Sequence, residues 1–361
     1  MKKKHIDYFL LASVILISFF GIVMIYSASS IWAEFKFHDA FKYVKHQALF
    51  FFVGLIIMNI AMKINLDFLK KKSNLILGGC FLLLALVLIP GIGSVRNGSR
   101  SWFGIGGFGI QPSEFAKIGL IIYTAKYLEK NQRNMKDVKK GALPIFLVIG
   151  VFFLLIMLEP DFGTAMVIAL TLICLIFVSG LKISFFVKLG VLGLAGIVGL
   201  IIAAPYRMAR IISFLNPWSD PLGAGYQIIQ SLYAIGPGGL LGQGFLNSRQ
   251  KHFYLPEPQT DFIFSIISEE FGFLGVIIVC SFFFFMFYRM IKIGMSASDL
   301  FTKYLVFGLA FGIFIQASLN LAVVVGLIPV TGVTLPFFSY GGSSLLVSLF
   351  SVGLVLNASK R

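Results

Sequence analysis

The chain has 361 residues, with 30 Lys and Arg against 15 Asp and Glu, for a formal net charge of +15. Hydrophobic residues make up 58% of it, charged residues 12%, and the mean hydropathy is +0.92. A soluble domain of this size needs far more polar surface, so that class is excluded. Apolar runs near the length of a membrane span recur along the chain. Lipid admits only helices or closed barrels, and these runs lack the two-residue alternation of barrel strands. The composition describes an all-α polytopic membrane protein.

Lys2, Lys3 and Lys4 precede an apolar run from Tyr8 to Tyr26. It is too long for a cleaved signal core and no convincing small-residue cleavage site follows, so it is expected to remain as the first span. Ten spans are expected, at 8–28, 44–62, 74–90, 112–128, 143–158, 164–179, 184–204, 262–287, 301–325 and 338–357. With the N-terminus inside, 20 of the 30 basic residues fall on the cytoplasmic side. That positive-inside bias puts both termini in the cytoplasm. The net charge is then a topology signal, and no nucleic-acid partner is expected. Cys80, Cys174 and Cys280 each lie in an apolar run and imply no disulfide framework. The whole chain, 1–361, reads as a single membrane domain without internal repeats.

The outer side carries the longer polar segments: 91–111, the corner 159–163, 205–261 and 326–337. Loops as long as 205–261 are usually functional or disordered. This one holds Trp218, Tyr226, Tyr233, Phe253 and Tyr254, which suits a segment lying on the membrane surface. In 91–111, Gly104, Gly106 and Gly109 fit the dinucleotide fingerprint. That fingerprint requires a βαβ unit, which the pattern here does not supply, so the glycines are read as turn formers.

Ionisable residues at span mouths are the features that call for a task. Glu114 and Lys117 follow Pro112 on one face of the fourth span, with Lys117 roughly 8 Å into it. Such a pair either locks helix packing or lines a wet cavity. Asp161, in Glu159-Pro160-Asp161, either caps the sixth span or faces that cavity. Arg207 and Arg210 open the long loop as interfacial anchors or as clamps on an anionic headgroup. Asp261 opens the eighth span, with Thr260 available as N-cap, and Ile263 stands where a capping-box acid belongs. Glu269 and Glu270 lie two turns deeper and are assigned to packing. These residues leave two classes open: an enzyme acting on an anionic lipid-linked substrate, or a transporter with intramembrane charge.

Five segments in order are more specific than any of these features. They are NGSRSWFGIGGFGIQPSEFAK, EPDFGT, APYRMARIISFLNPWSDPLGAGYQIIQSLYAIGPGGLLGQG, SRQKHFYLPEPQTDFIFSIISEEFGFLG and GLIPVTGVTLPFFSYGGSSLL. Together they closely resemble the SEDS family of shape, elongation, division and sporulation proteins (RodA, FtsW and SpoVE), over essentially the whole chain and closest to the SpoVE/FtsW branch. The resemblance implies a ten-helix peptidoglycan glycosyltransferase that polymerises lipid II, working with a class B penicillin-binding protein as transpeptidase. It maps the family's essential acid onto Asp261, its loop tryptophan onto Trp102, its ion pair onto Glu114 and Lys117, and its second acid onto Asp161. Glu159 stands where many relatives are expected to carry Gln.

An inverting displacement follows from that mapping. Asp261 would act as general base on the acceptor hydroxyl, ionised at neutral pH because a helix N-terminus lowers its pKa. The departing diphosphate needs countercharge from Lys117, Arg207 or Arg210, or from Mg2+ or Mn2+. No organic cofactor is expected, and no compact carboxylate cluster marks a metal site. The alternative on the same fold is a lipid II flippase.

Overall fold

The computed structural model describes every residue except 1–4, 97, 106, 107, 136, 203, 204, 224 and 361. Among the described residues, twelve α-helices accompany one small antiparallel sheet. In chain order these are α1 Tyr8–Phe37, α2 Lys42–Ala61, α3 Leu66–Val87, β1 Ser94–Arg96, β2 Ser99–Ile105 and β3 Phe108–Ile110. They are followed by α4 Pro112–Asn131, α5 Leu143–Leu158, α6 Phe162–Val178, α7 Ile183–Ile202, α8 Pro205–Leu215 and α9 Tyr226–Ile235. The series ends with α10 Ile263–Met295, α11 Leu300–Val324 and α12 Gly342–Ser359. Each expected span falls on a helix, and six helices are long and apolar enough to cross a membrane. The chain is a multi-pass membrane protein.

Several boundaries differ from the sequence reading. α1 has 30 residues, ~45 Å, and so runs well past a hydrocarbon core of ~30 Å. α3 begins at Leu66, eight residues before the expected 74, where Asn65 accepts a hydrogen bond from the amide of Asp67 at 2.9 Å. Residues 338–341 form a turn before α12 and are not part of the span. The 91–111 segment is no plain loop: β2 pairs with both β1 and β3.

The core gathers around α11, which packs against α4, α6, α10 and α12. α12 lies against α2 with Gly353 at the crossing, where a Cβ would come within 2.6 Å of the Met58 carbonyl. Helices in lipid approach this closely only where a small residue removes the side chain.

In the long segment 205–261, Trp218, Tyr233, Phe253 and Tyr254 are exposed, but α9 packs one face on the bundle. α9 buries Ile228, Ile229 and Ala234 against α10 and α11, so protein takes up its apolar face. Residues 239–244 enter a break in α10 at Gly272, whose φ of 62° and ψ of −158° are open essentially to glycine alone. The amides of Gln243 and Gly244 donate to the carbonyls of Glu269 and Glu270 at 2.9 and 3.0 Å. The amides of Phe273 and Leu274 donate to Gly239 and Leu240 at 2.8 and 3.1 Å. An interrupted helix in a membrane needs such partners, because lipid offers none.

The same region buries the two adjacent acids. Glu269 accepts from the Ser248 hydroxyl and the Arg249 amide. Glu270 accepts from Ser27 of α1 at 2.6 Å and pairs with Lys251 at 3.1 Å. Both acids therefore tie 248–251 to the helix bundle.

Candidate functional site

A cavity of about 570 Å³ opens where the sheet, the α5–α6 corner, the start of α10 and the α11–α12 connection meet. Its wall includes Trp102, Glu114, Lys117, Asp161 and Asp261. Residues from four separate stretches of sequence thus share one space. Arg207 and Arg210 fall on α8, and their side chains lie outside the described residues.

The deep end is built on α4. Pro112 occupies its first turn, which costs no intrahelical hydrogen bond. Glu114 and Lys117 then stand on one face, 2.8 Å apart and both buried. Lys117 Nζ also donates to Gln316 Oε1 on α11 at 2.6 Å. Gln316 Nε2 in turn lies 3.1 Å from the Thr334 carbonyl and 3.3 Å from Ser344 Oγ. The pair therefore both locks helices together and lines the cavity.

Asp161 likewise does both jobs expected of it. Its Oδ1 caps α6 by accepting the Thr164 amide at 3.0 Å, and its Oδ2 accepts from Gln111 Nε2 at 2.9 Å. Burial raises its carboxyl above the usual range, with the Thr164 and Gln111 hydrogen bonds opposing and the Glu114 charge adding to the rise.

Asp261 is not the helix-terminal acid that was expected. α10 starts at Ile263 after Phe262, with no side-chain cap. Thr260 Oγ1 instead lies 2.7 Å from the Glu257 carbonyl and 2.9 Å from Asp261 Oδ1. Burial pushes the carboxyl up and Glu257 adds like charge, with the Thr260 hydrogen bond opposing the rise. The expected lowering is reversed. Its backbone is fixed by Asn320 Nδ2, which donates to the Asp261 carbonyl at 2.6 Å, and by the Tyr340 amide, which donates to Gln259 at 2.8 Å. No cation among the described residues pairs with it.

Sequence reasoning missed Arg96, Gln316 and Tyr340, which share the cavity wall. Gln316 and Asn320 had a readable signal: two amides one turn apart inside the apolar run 301–325. Tyr340, whose hydroxyl lies 3.0 Å from His46 Nδ1, and Arg96 offered none, since loop placement decides both.

Among the described residues no group of three or more His, Cys, Asp or Glu is placed to hold a metal ion. Glu114 is committed to Lys117 and Asp161 to the α6 amide. The described residues thus offer no preformed ligand set of three or more for a resident metal. Of the fingerprint glycines, Gly104 and Gly109 pair across β2 and β3 rather than in a βαβ unit, and Gly106 lies outside the described residues.

Residues 7–361 match the family described as cell cycle protein, the FtsW/RodA/SpoVE family. The chain belongs to this family. It is 51% identical over 359 residues to stage V sporulation protein E of Bacillus subtilis, covering 99% of this chain and 98% of that one. It is 44% identical over 355 residues to the probable peptidoglycan glycosyltransferase FtsW of Geobacter sp. strain M18, covering 98% and 97%. Among solved structures it resembles a chain of a peptidoglycan synthase complex that coordinates polymerization and crosslinking. The TM-score is 0.80 at 33% identity, covering 98% of this chain and 97% of that one. It also resembles the rod shape determining protein RodA of Thermus thermophilus, with a TM-score of 0.73 at 29% identity over 98% and 96%.

Proposed function

We propose that this chain is a peptidoglycan glycosyltransferase that polymerises lipid II into β-1,4 glycan strands, for cell division or spore cortex synthesis. The observation that carries the reading is the convergence on one cavity of Trp102, Glu114, Lys117 and Asp161 with an unpaired Asp261 carboxylate. The family membership and the glycosyltransferase relatives support it.

The acceptor's C4 hydroxyl attacks the anomeric carbon of the donor, whose α-linked diphosphate leaves. Asp261 takes the hydroxyl proton as the new bond forms, and the diphosphate departs as an anion without an acid. One displacement converts the α linkage to β. A carboxylate whose pKa is raised by burial is a stronger base than a free aspartate. Trp102 lines the same cavity, and the Glu114–Lys117–Gln316 network braces its wall.

The basic residues support an outward-facing cavity with both termini in the cytoplasm. Likeness to a synthase-complex chain supports a class B penicillin-binding protein as the crosslinking partner. The test is polymerisation of labelled lipid II by purified protein in detergent, with its transpeptidase where needed. Polymer from the wild type and none from Asp261→Ala supports the reading. A wild type that moves lipid II between liposome leaflets yet never polymerises it overturns the reading in favour of the flippase.

A further inference from the structure

The hairpin beside the cavity holds a cation that the mechanism above leaves unused. Arg96 ends β1, and its guanidinium lies 5.0 Å from the centroid of the Trp102 ring. Bare backbone lies against it as well. A Cβ built on Gly109 would come within 2.7 Å of Nη1 and 2.9 Å of Cζ and Nη2, and one on Gly104 within 3.5 Å of Nη2. β2 and β3 pair these two glycines, so both present open backbone at the same level. The glycines that imitate a nucleotide fingerprint leave the room that a flat cation needs.

The electrostatic setting says what that cation is for. No carboxylate among the described residues lies within ion-pair distance of Arg96. Lys117, the other cation of the cavity wall, is committed to Glu114 and Gln316. Asp161, Glu257 and Asp261 line the rest of the wall and repel an anion. Among the described residues of the wall, an anion meets Arg96 as the cation free of a carboxylate, and a guanidinium fork matches phosphate oxygens in pairs.

We infer that Arg96 is the anion-contacting residue of the cavity and holds the diphosphate of the lipid-linked donor as it leaves. The inference rests on the polymerase reading and adds the residue that supplies countercharge. A diphosphate gains charge as its bond to the sugar breaks, so a cation already fixed in place stabilises the transition state more than the ground state.

The test measures binding of undecaprenyl diphosphate to the purified full-length chain in detergent, beside the kcat and KM of polymerisation. Arg96→Ala is expected to weaken that binding roughly tenfold or more and to flatten its salt dependence. Binding of undecaprenol, which lacks the phosphates, should not change. Arg96→Lys keeps charge without the fork and falls between. Gly109→Ala adds a methyl where the guanidinium lies, and the flexible side chain gives way. It should weaken diphosphate binding with Arg96 still present and thermal unfolding unchanged. Wild-type binding by folded Arg96→Ala overturns the assignment, as does a wild type that binds diphosphate no better than the alcohol. Wild-type binding by Gly109→Ala overturns the role of the glycines. A wild type that binds diphosphate through Arg96 but never polymerises lipid II sinks the polymerase reading and leaves the anion site standing.

Discussion

Lys117 on α4 donates a 2.6 Å hydrogen bond to Gln316 on α11, joining residues 199 positions apart. The same ammonium neutralises Glu114 at 2.8 Å in a buried setting. Lys117→Met strands a buried carboxylate and an unpaired amide, at a cost of roughly 3–5 kcal/mol. Thermal unfolding in detergent should show a large drop, most of it recovered by adding Glu114→Gln. A single variant that unfolds like wild type would falsify the buried-pair assignment.

Asp261→Asn should leave the fold intact, since the carboxylate makes one side-chain hydrogen bond and no ion pair among the described residues. Its kcat should fall by ~10²–10⁴, the usual range for a positioned base, with KM nearly unchanged. A normal kcat in steady-state polymerisation assays rules Asp261 out as the base.

The raised pKa of Asp261 sets the acid limb of the rate profile. The base works only when deprotonated, so activity is lost as pH falls through that pKa. Because burial lifts it, the loss begins at higher pH than for an ordinary aspartate. The kcat/KM profile should show a limb above the usual carboxylate range, and any residual rate of Asp261→Asn should lack it.

Glu159 is buried at the α5–α6 corner with neither carboxylate oxygen hydrogen-bonded, and burial pushes its pKa to about 8, with Asp161 adding like charge. The folded state keeps its proton between 4.5 and about 8, while the unfolded chain loses it. Stability therefore falls as pH rises through that window and stays reduced above it. Glu159→Gln cannot ionise. Its melting temperature relative to wild type should climb from pH 5 to pH 8 and then level off. A difference that does not change with pH contradicts the buried acid.

Gly272→Ala places a Cβ against the backbone of 238–242 at a positive φ. Both strain and overlap oppose it, so the insertion of 239–244 should open. Hydrogen exchange at the amides of Gln243 and Gly244 should accelerate, and the melting temperature should fall. Unchanged protection at these amides contradicts the inserted-loop geometry.

Local chemistry was readable wherever one residue type sufficed. Pro112 announced the start of α4, and the three-residue spacing of Glu114 and Lys117 placed them on one face. Asp161 was read as a cap or a cavity residue, and it caps α6 while lining the cavity. Thr260-Asp261 was misread, because the same residues suit an N-cap and a turn closed by side-chain oxygens. Which occurs depends on Asn320 and Tyr340 holding the backbone from elsewhere in the chain.

What the amino-acid sequence determined is the membrane class, the places of the helices and the acids at their mouths. Lipid demands long apolar runs and makes each exception to them costly, so both kinds of signal survive in one dimension. Only the tertiary structure decided that Arg96 stacks on Trp102, that Gln316 braces Lys117, and that 239–244 fills the break in α10. Those contacts join residues through the packing of separate elements, and helical or strand periodicity carries no information about which elements meet.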